Sequence, residues 1–414
     1  MTGGSRRRAL AALCVTEITS YGVIYYAFPV LATQITAETG WSRTAITVAY
    51  SAGNLAGALA GIPAGRLLHR YGPRPVMTTA SVLGALAVAA IAAAPGYGWF
   101  LAAWLAAGVA SAGLFYPPAF AALTGWYGPR RVQALTTLTL AAGFASTIFA
   151  PLASALAGHL SWRGVYLVLA VLLAVITIPA HAIGLRQPWR EQADHEPAAP
   201  ARDRQVLTSR AFIQLTAAGT LCSFAQYAAL VNLVPLLEAR GMAPTLAAVA
   251  LGLGGAGQVA GRLCYRILAA RLKTRGRMAA IIAASAVATL LIGLVPGPAV
   301  LLIATAVLAG MVRGMFTLTQ ATLVADYWGP DRYAVLNGVF NAPLVAAGAV
   351  APGIGAGIAA LAGSYPVLFV ILASTSGSGA VLAATAPPPA IQPGSDAGSG
   401  DSAQTPSQQP DPAG

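Results

Sequence analysis

Long apolar runs, separated by short polar stretches rich in arginine, organise this chain. They fall at about 9–34, 44–68, 75–95, 98–124, 134–158 and 165–185 and, after a polar stretch at 186–209, at about 210–237, 245–270, 278–296, 299–325, 334–362 and 364–386. About 20 apolar residues cross the hydrocarbon of a bilayer as a helix, and every backbone group in lipid must be bonded internally. None of the runs shows the ten-residue alternation of a membrane barrel. The pattern therefore predicts an all-α polytopic membrane protein with twelve transmembrane helices, called runs 1 to 12. Ser374, Ser376, Gly377, Ser378 and Gly379 weaken run 12 as a span.

Composition agrees. Of 414 residues 57% are hydrophobic and 9% charged, against about 25% charged in an average soluble domain. The net charge of +12 does not mark a nucleic-acid partner, because the basic residues sit in short loops between runs. Twenty of the 24 fall on one face; Arg43, Arg163 and Arg240 fall on the other, and Arg313 lies inside run 10. Basic loops stay inside, which places both termini in the cytoplasm. Lys273 is the only lysine, an arginine usage pointing to a GC-rich bacterial genome and so to a bacterial inner (plasma) membrane. The start, Ser5 to Ala11, resembles a twin-arginine export signal. Its apolar run is too long, contains Glu17, ends without a small-residue cleavage site and precedes eleven more runs, so it reads as an uncleaved first helix.

The expected organisation is a cytoplasmic N-terminal segment 1–8, a six-helix bundle 9–185, a cytoplasmic linker 186–209, a second six-helix bundle 210–386 and a disordered cytoplasmic tail 387–414. Cys14, Cys222 and Cys264 each lie in an apolar run and offer no disulfide framework; two thiols, Cys14 and Cys222, lack the third ligand a soft metalloid would need. His69, His159, His181 and His195 are scattered, and no carboxylate cluster or nucleophile–base pair is visible. No enzyme, metal or cofactor is expected. The GLGGAG of Gly252 to Gly257 fits a dinucleotide fingerprint only as a string, since no strand precedes it.

The two halves repeat each other. At an offset of 201, Gly113, Phe115, Gly128, Pro129, Arg131, Leu135 and Pro151 meet Gly314, Phe316, Gly329, Pro330, Arg332, Leu336 and Pro352. At 196, Gly61, Ala64, Gly65, Arg66, Leu67 and Arg70 meet Gly257, Ala260, Gly261, Arg262, Leu263 and Arg266. Six runs per half give both copies the same orientation, so two pseudo-symmetric six-helix bundles related by an axis along the membrane normal are expected. Here the chain resembles the major facilitator superfamily over residues 9 to 386. The family's signature loop between helices 2 and 3 is similar to Gly65 to Val76, where Gly65, Leu67, Arg70, Tyr71, Gly72 and Arg74 fit and His69 replaces the usual acid. Trp41-Ser42-Arg43 and Trp162-Arg163-Gly164 resemble the bacterial monocarboxylate-transporter and oxalate/formate-exchanger branches. The resemblance implies a gate at that loop, with Gly65, Arg70, Arg74 and the repeat partners Arg262 and Arg266 as gating residues. Because His69 stands in the acid's place, the lock must use other partners, among them Asp326.

Gly53, Gly57, Gly61 and Gly65 recur every four residues in run 2, a smooth face for close packing or for sliding between states. Glu17 and Arg313 are the deepest charges, about 12 and 18 Å from the nearer helix ends at 1.5 Å per residue. A charge at mid-span costs roughly 2.5–3.5 kcal/mol on insertion scales, and the repeat demands neither, since Ser223 and Ala112 stand opposite them. They form either a structural ion pair or a solute and proton site. Helical spacing aligns Glu17 with Ser20, Tyr21 and Tyr25, Arg313 with Phe316, Thr317 and Gln320, Ser223 with Gln226 and Tyr227, and Phe115 with Tyr116. The resemblance implies that helices 1, 4, 7 and 10 line the central cavity. Arg313, Tyr21, Tyr25, Tyr116, Gln226, Tyr227, Thr317 and Gln320 are the candidate solute-binding residues, and Glu17 the candidate for proton coupling. The expected function is a monomeric secondary active transporter of alternating access for a small organic anion, a monocarboxylate among the options, coupled to protons. The alternatives are an efflux pump for a drug or toxic compound and a non-transporting sensor or scaffold on the same fold.

Overall fold

The computed structural model describes residues 3–189 and 199–388; the centre of the linker with His195, and the tail from 389 expected to be disordered, lie outside the described residues. Among the described residues there is no strand. Run 1 folds as α1 (Gly3–Ser20), a π-helical turn (Tyr21–Tyr26) and α2 (Ala27–Thr39). Its helix begins six residues ahead of the apolar run because two contacts hold the first turn. Ser5 and Gln187 exchange hydrogen bonds of 3.0 Å, and the Tyr127 hydroxyl donates to Arg6 O at 3.1 Å.

Runs 2 and 3 are α3 (Arg43–Tyr71) and α4 (Pro73–Ala92). Run 4 is broken into α5 (Tyr97–Leu114) and α6 (Tyr116–Tyr127), and run 5 into α7 (Arg131–Ala142) and α8 (Ala145–Ala157). The first break follows from Pro117 and Pro118, which lack N–H donors and fit only a first helical turn, so Phe115 is extended with ψ −172°. Run 6 is α9 (Trp162–Gly184), and the linker carries a short helix, α10 (Ala199–Leu207). Runs 7 to 12 are α11 (Arg210–Ala239), α12 (Pro244–Arg271), α13 (Thr274–Leu294), α14 (Ala299–Trp328), α15 (Tyr333–Ala362) and α16 (Tyr365–Thr385). In the repeat, Leu318 and Thr319 replace the two prolines and Leu344 replaces Gly143. Accordingly α14 and α15 run unbroken for 30 residues each.

Ten segments are long and apolar enough to cross a membrane, and one of them, Tyr97–Ala157, contains runs 4 and 5. With α12, whose Gln258, Arg262 and Arg266 lower its apolar character, they account for the twelve runs. Ser42, Ser161 and Ser209 cap α3, α9 and α11 by accepting from the N–H of Ala45, Gly164 and Phe212. The serines of run 12 do not break α16, because Ser374 and Ser378 bond carbonyls four residues back and Ser376 bonds Ile282 O.

Both halves use the same packing pairs. In the first, α3 packs on α5 and α4 on α9; their repeat partners α12 on α14 and α13 on α16 do the same. The glycines make these pairs close. A Cβ on Gly57 would lie 2.7 Å from Gly108 O, and Gly257, Gly261, Gly310 and Gly314 leave even less room between α12 and α14. The GLGGAG string is thus helix packing. Between the halves, α3 packs on α15, α6 on α15, and α7 on α12 and α14. The halves are joined at the arginine-rich end, where Gly65 meets Ala334, Gly338 meets Gly61 and Arg131 pairs with Asp326. At the other end, α2 packs on the π turn and on α3, α8 and α9 of its own half.

Candidate functional site

Run 1 presents an aromatic wall. Tyr21 stacks on Phe115, with ring centroids 4.1 Å apart, and touches Tyr116 at 4.9 Å. Tyr25 meets Tyr26 at 5.2 Å and Tyr50 at 6.1 Å. An α-helix would point residues 25 and 26 apart by about 100°, whereas the π turn widens the face so that both join the cluster. Gly22 admits the Phe149 ring against this turn; any side chain there would collide with it.

Arg313 faces this wall from α14. Its guanidinium acts electrostatically on Tyr25, Tyr26 and Tyr227, and its Nε donates to Gln258 Oε1 at 3.2 Å. The Thr317 hydroxyl, four residues along α14, donates to Arg313 O at 3.0 Å. Behind Arg313 lies a cavity of about 30 Å³ lined by Gln226, Ser285 and Thr289 among apolar residues of α11 to α14, room for about two waters. Gln226 is oriented by its 3.1 Å bond to Ser285 Oγ. Tyr227 is 39% exposed, and Tyr21, Tyr25, Tyr116 and Arg313 are half-buried. Gln320, two turns along α14, is half-buried as well.

Glu17 is separate. It is fully buried, neither carboxyl oxygen has a hydrogen-bond partner, and its electrostatic neighbours are Tyr21, Tyr116 and Cys14. The ion pairs among the described residues do not include Glu17 with Arg313. Of the two readings open from sequence, the structural pair is not formed. Ser20, next to it, also has a buried hydroxyl without a partner. No group of three His, Cys, Asp or Glu able to hold a metal forms among the described residues.

Sequence reasoning missed two members of the cluster. Tyr26 depends on the π turn, for which the sequence has no clear signal. Arg262, grouped with the loop arginines, is 3% exposed, and its charge reaches Tyr26, Tyr116, Tyr227 and Arg313. It also donates across the halves to Thr139 O. The repeat match of Arg262 to Arg66 pointed toward a loop role and concealed this one.

The remaining gating candidates divide. A Cβ on Gly65 would stand 2.5 Å from Ala334 O, and one on Gly338 2.7 Å from Gly61 O, so the basic end of the glycine stripe joins α3 to α15 across the halves. Arg74 donates to Ala182 O at 2.8 Å, inside the first half. Arg70 is exposed, 5.2 Å over the Tyr71 ring, and Arg266 is exposed on α12. Asp326 is held instead by Arg131 from the other half and by Arg277. His69 Nε2 lies 2.8 Å from Arg332 Nη1, Arg332 pairs with Asp203 of α10, and Trp189 of the linker donates to His69 O. His69 itself thus bonds Arg332 of the other half, and the contacts that join the helix ends here include no acid at position 69.

Comparison with known proteins follows this geometry. A sequence model described as Major Facilitator Superfamily matches residues 13–342. Monocarboxylate transporter 13 from Bos taurus, and the same protein from Rattus norvegicus, are 27% identical over 257 residues, 61% of this chain. The match spans 57% of the length of those relatives. Among solved structures, an E. coli fucose:proton symporter covers 90% of this chain and 97% of its own at 16% identity and a TM-score of 0.69. The human organic anion transporter MFSD10 covers 91% and 99% at 18% identity and a TM-score of 0.71. At such identities the structures speak for the fold.

Proposed function

The chain belongs to the major facilitator superfamily, and from that premise we propose that it carries a small organic anion, a monocarboxylate among the options, together with a proton. The observation that carries this reading is Arg313, a mid-span guanidinium on the cavity wall that has tyrosine hydroxyls, Gln258 and a second arginine around it and no ion-paired acid among the described residues. A cationic group kept in a low-dielectric cavity without a counter-ion is stabilised by an anionic solute, which it holds through charge-assisted hydrogen bonds. The similarity to monocarboxylate transporter 13 favours a monocarboxylate. Tyr21, Tyr25, Tyr116 and Tyr227 supply hydroxyls and ring faces to the rest of the solute.

Glu17 takes the proton. A buried carboxyl without partners changes its interaction with the surrounding helix when it gains or loses a proton, and so biases one conformation. With the arginine-rich end, where the halves are joined, assigned to the cytoplasm by the distribution of basic residues, the reading is of a bacterial plasma-membrane carrier in an outward-facing state. Each chain holds both halves of its pathway, and a monomer suffices.

Uptake into proteoliposomes tests the coupling. With a pH gradient, labelled carboxylate is expected to accumulate through the natural chain, while Glu17→Gln exchanges carboxylate across the membrane without accumulating it. Gradient-driven accumulation by Glu17→Gln equal to that of the natural chain would remove the proton role from Glu17.

A further inference from the structure

Resting on the reading of the cavity as an anion site, we propose that Arg262 is a latch between cavity occupancy and the closed end of the molecule. Its guanidinium ties the halves through Thr139 O while the cavity is empty, and an anionic solute draws it away.

Three observations converge on this side chain. It bridges the halves, from α12 to the last turns of α7. It belongs electrostatically to the cavity, with Arg313 and three tyrosines within its reach. Its donors are not all used, since Nε is buried without a partner. The acceptor is also unusual. Thr139 lies one turn before the break that separates α7 from α8, and its carbonyl receives only a 3.2 Å bond from Gly143 N besides the guanidinium. Gly143 lies beside the guanidinium, and a Cβ there would be in ordinary van der Waals contact with Arg262 Nη1 at 3.5 Å.

The competition is unequal. Thr139 O is a neutral acceptor, whereas a carboxylate beside Arg313 offers two charged oxygens in the paired geometry that suits a guanidinium, adding a charge attraction that the carbonyl lacks. When the solute takes the guanidinium, Thr139 O retains its bond from Gly143, so the release strands no buried carbonyl. What is lost is a tie between α7 and α12. The closed end then keeps the α3–α15 contact, the His69–Arg332 bond and the Arg131–Asp326 pair but has lost one tie, and opening becomes easier for the loaded carrier than for the empty one. Such a differential is what a ligand needs to shift a two-state equilibrium.

Spin labels at Gln133 on α7 and Ile267 on α12, both exposed, placed in a chain without its native cysteines, report the separation across this tie by pulsed electron resonance. Formate, lactate and succinate serve as probes, each added at a concentration that raises the melting temperature of the labelled protein. The empty protein is expected to show one short distance, a stabilising carboxylate to add a longer population, and Arg262→Gln to show the longer population with no solute. A carboxylate that stabilises the protein yet leaves the distances unchanged overturns the latch, as does an Arg262→Gln distribution matching that of the parent. The solute arm uses the chain with Arg262 intact and decides the question even if the variant fails to fold. If no carboxylate stabilises the parent, the anion reading itself fails, and the variant arm still tests the tie.

Discussion

Exchanging Arg313 for glutamine keeps a side chain able to bond Gln258 but removes the charge an anion meets. Hydrogen bonds to charged groups contribute about 1.5–3 kcal/mol, so Arg313→Gln should weaken solute binding by about 10- to 100-fold, read by calorimetric titration, without lowering the melting temperature of the empty protein. Glu17→Gln should leave that temperature unchanged or raise it, because neither carboxyl oxygen has a partner to lose; a fall of several degrees would reveal a structural bond. Functional groups held at a cost to stability behave this way. Both residues were legible because each is a charge deep in an apolar run that its repeat partner lacks. Tyr26 and Arg262 were not. One depends on a change of helical pitch, the other on how far a side chain near a basic loop folds back between the bundles.

Among the elements, α3 does two jobs with one glycine stripe. Gly53 and Gly57 pack on α5 within the first half, and Gly61 and Gly65 meet α15 of the second. A bulky side chain should therefore act differently along the stripe. Gly65→Leu is expected to insert and fold but to lose transport, since the closed end cannot form, whereas Gly57→Leu should reduce the yield of folded protein. Normal transport by folded Gly65→Leu would remove the gate from this contact. Helix positions and the close α12–α14 packing follow from apolar length and glycine spacing. The break at Phe115 is foreshadowed by Pro117-Pro118, but the π turn and the break at Gly143 depend on neighbours such as Phe149 that a linear pattern cannot bring together. Likewise, the pairing of Asp326 with Arg131 and Arg277 rather than with Arg70 or Arg74 is decided by which helix ends converge.

For the molecule as a whole, the repeat and the one-sided arginines foretold two six-helix halves, and the packing pairs α3–α5 and α12–α14 express that repeat in three dimensions. The orientation rests on charge and has a direct check: in intact cells, an impermeant thiol reagent should label a cysteine at His159 and spare one at Gln205, and the reverse pattern would invert the topology. Which end is shut could not be read from sequence, because both states use the same runs and differ only in which contacts between the halves are made. The central claim is that the halves enclose an anion site built on Arg313. Thermal stabilisation of the purified natural chain and of Arg313→Gln, across a panel of carboxylates and matched neutral amides, tests it most directly. Stabilisation by at least one carboxylate, absent with its amide and lost in Arg313→Gln, is the expected result. Equal stabilisation of both proteins, or a preference for the amides, would contradict it.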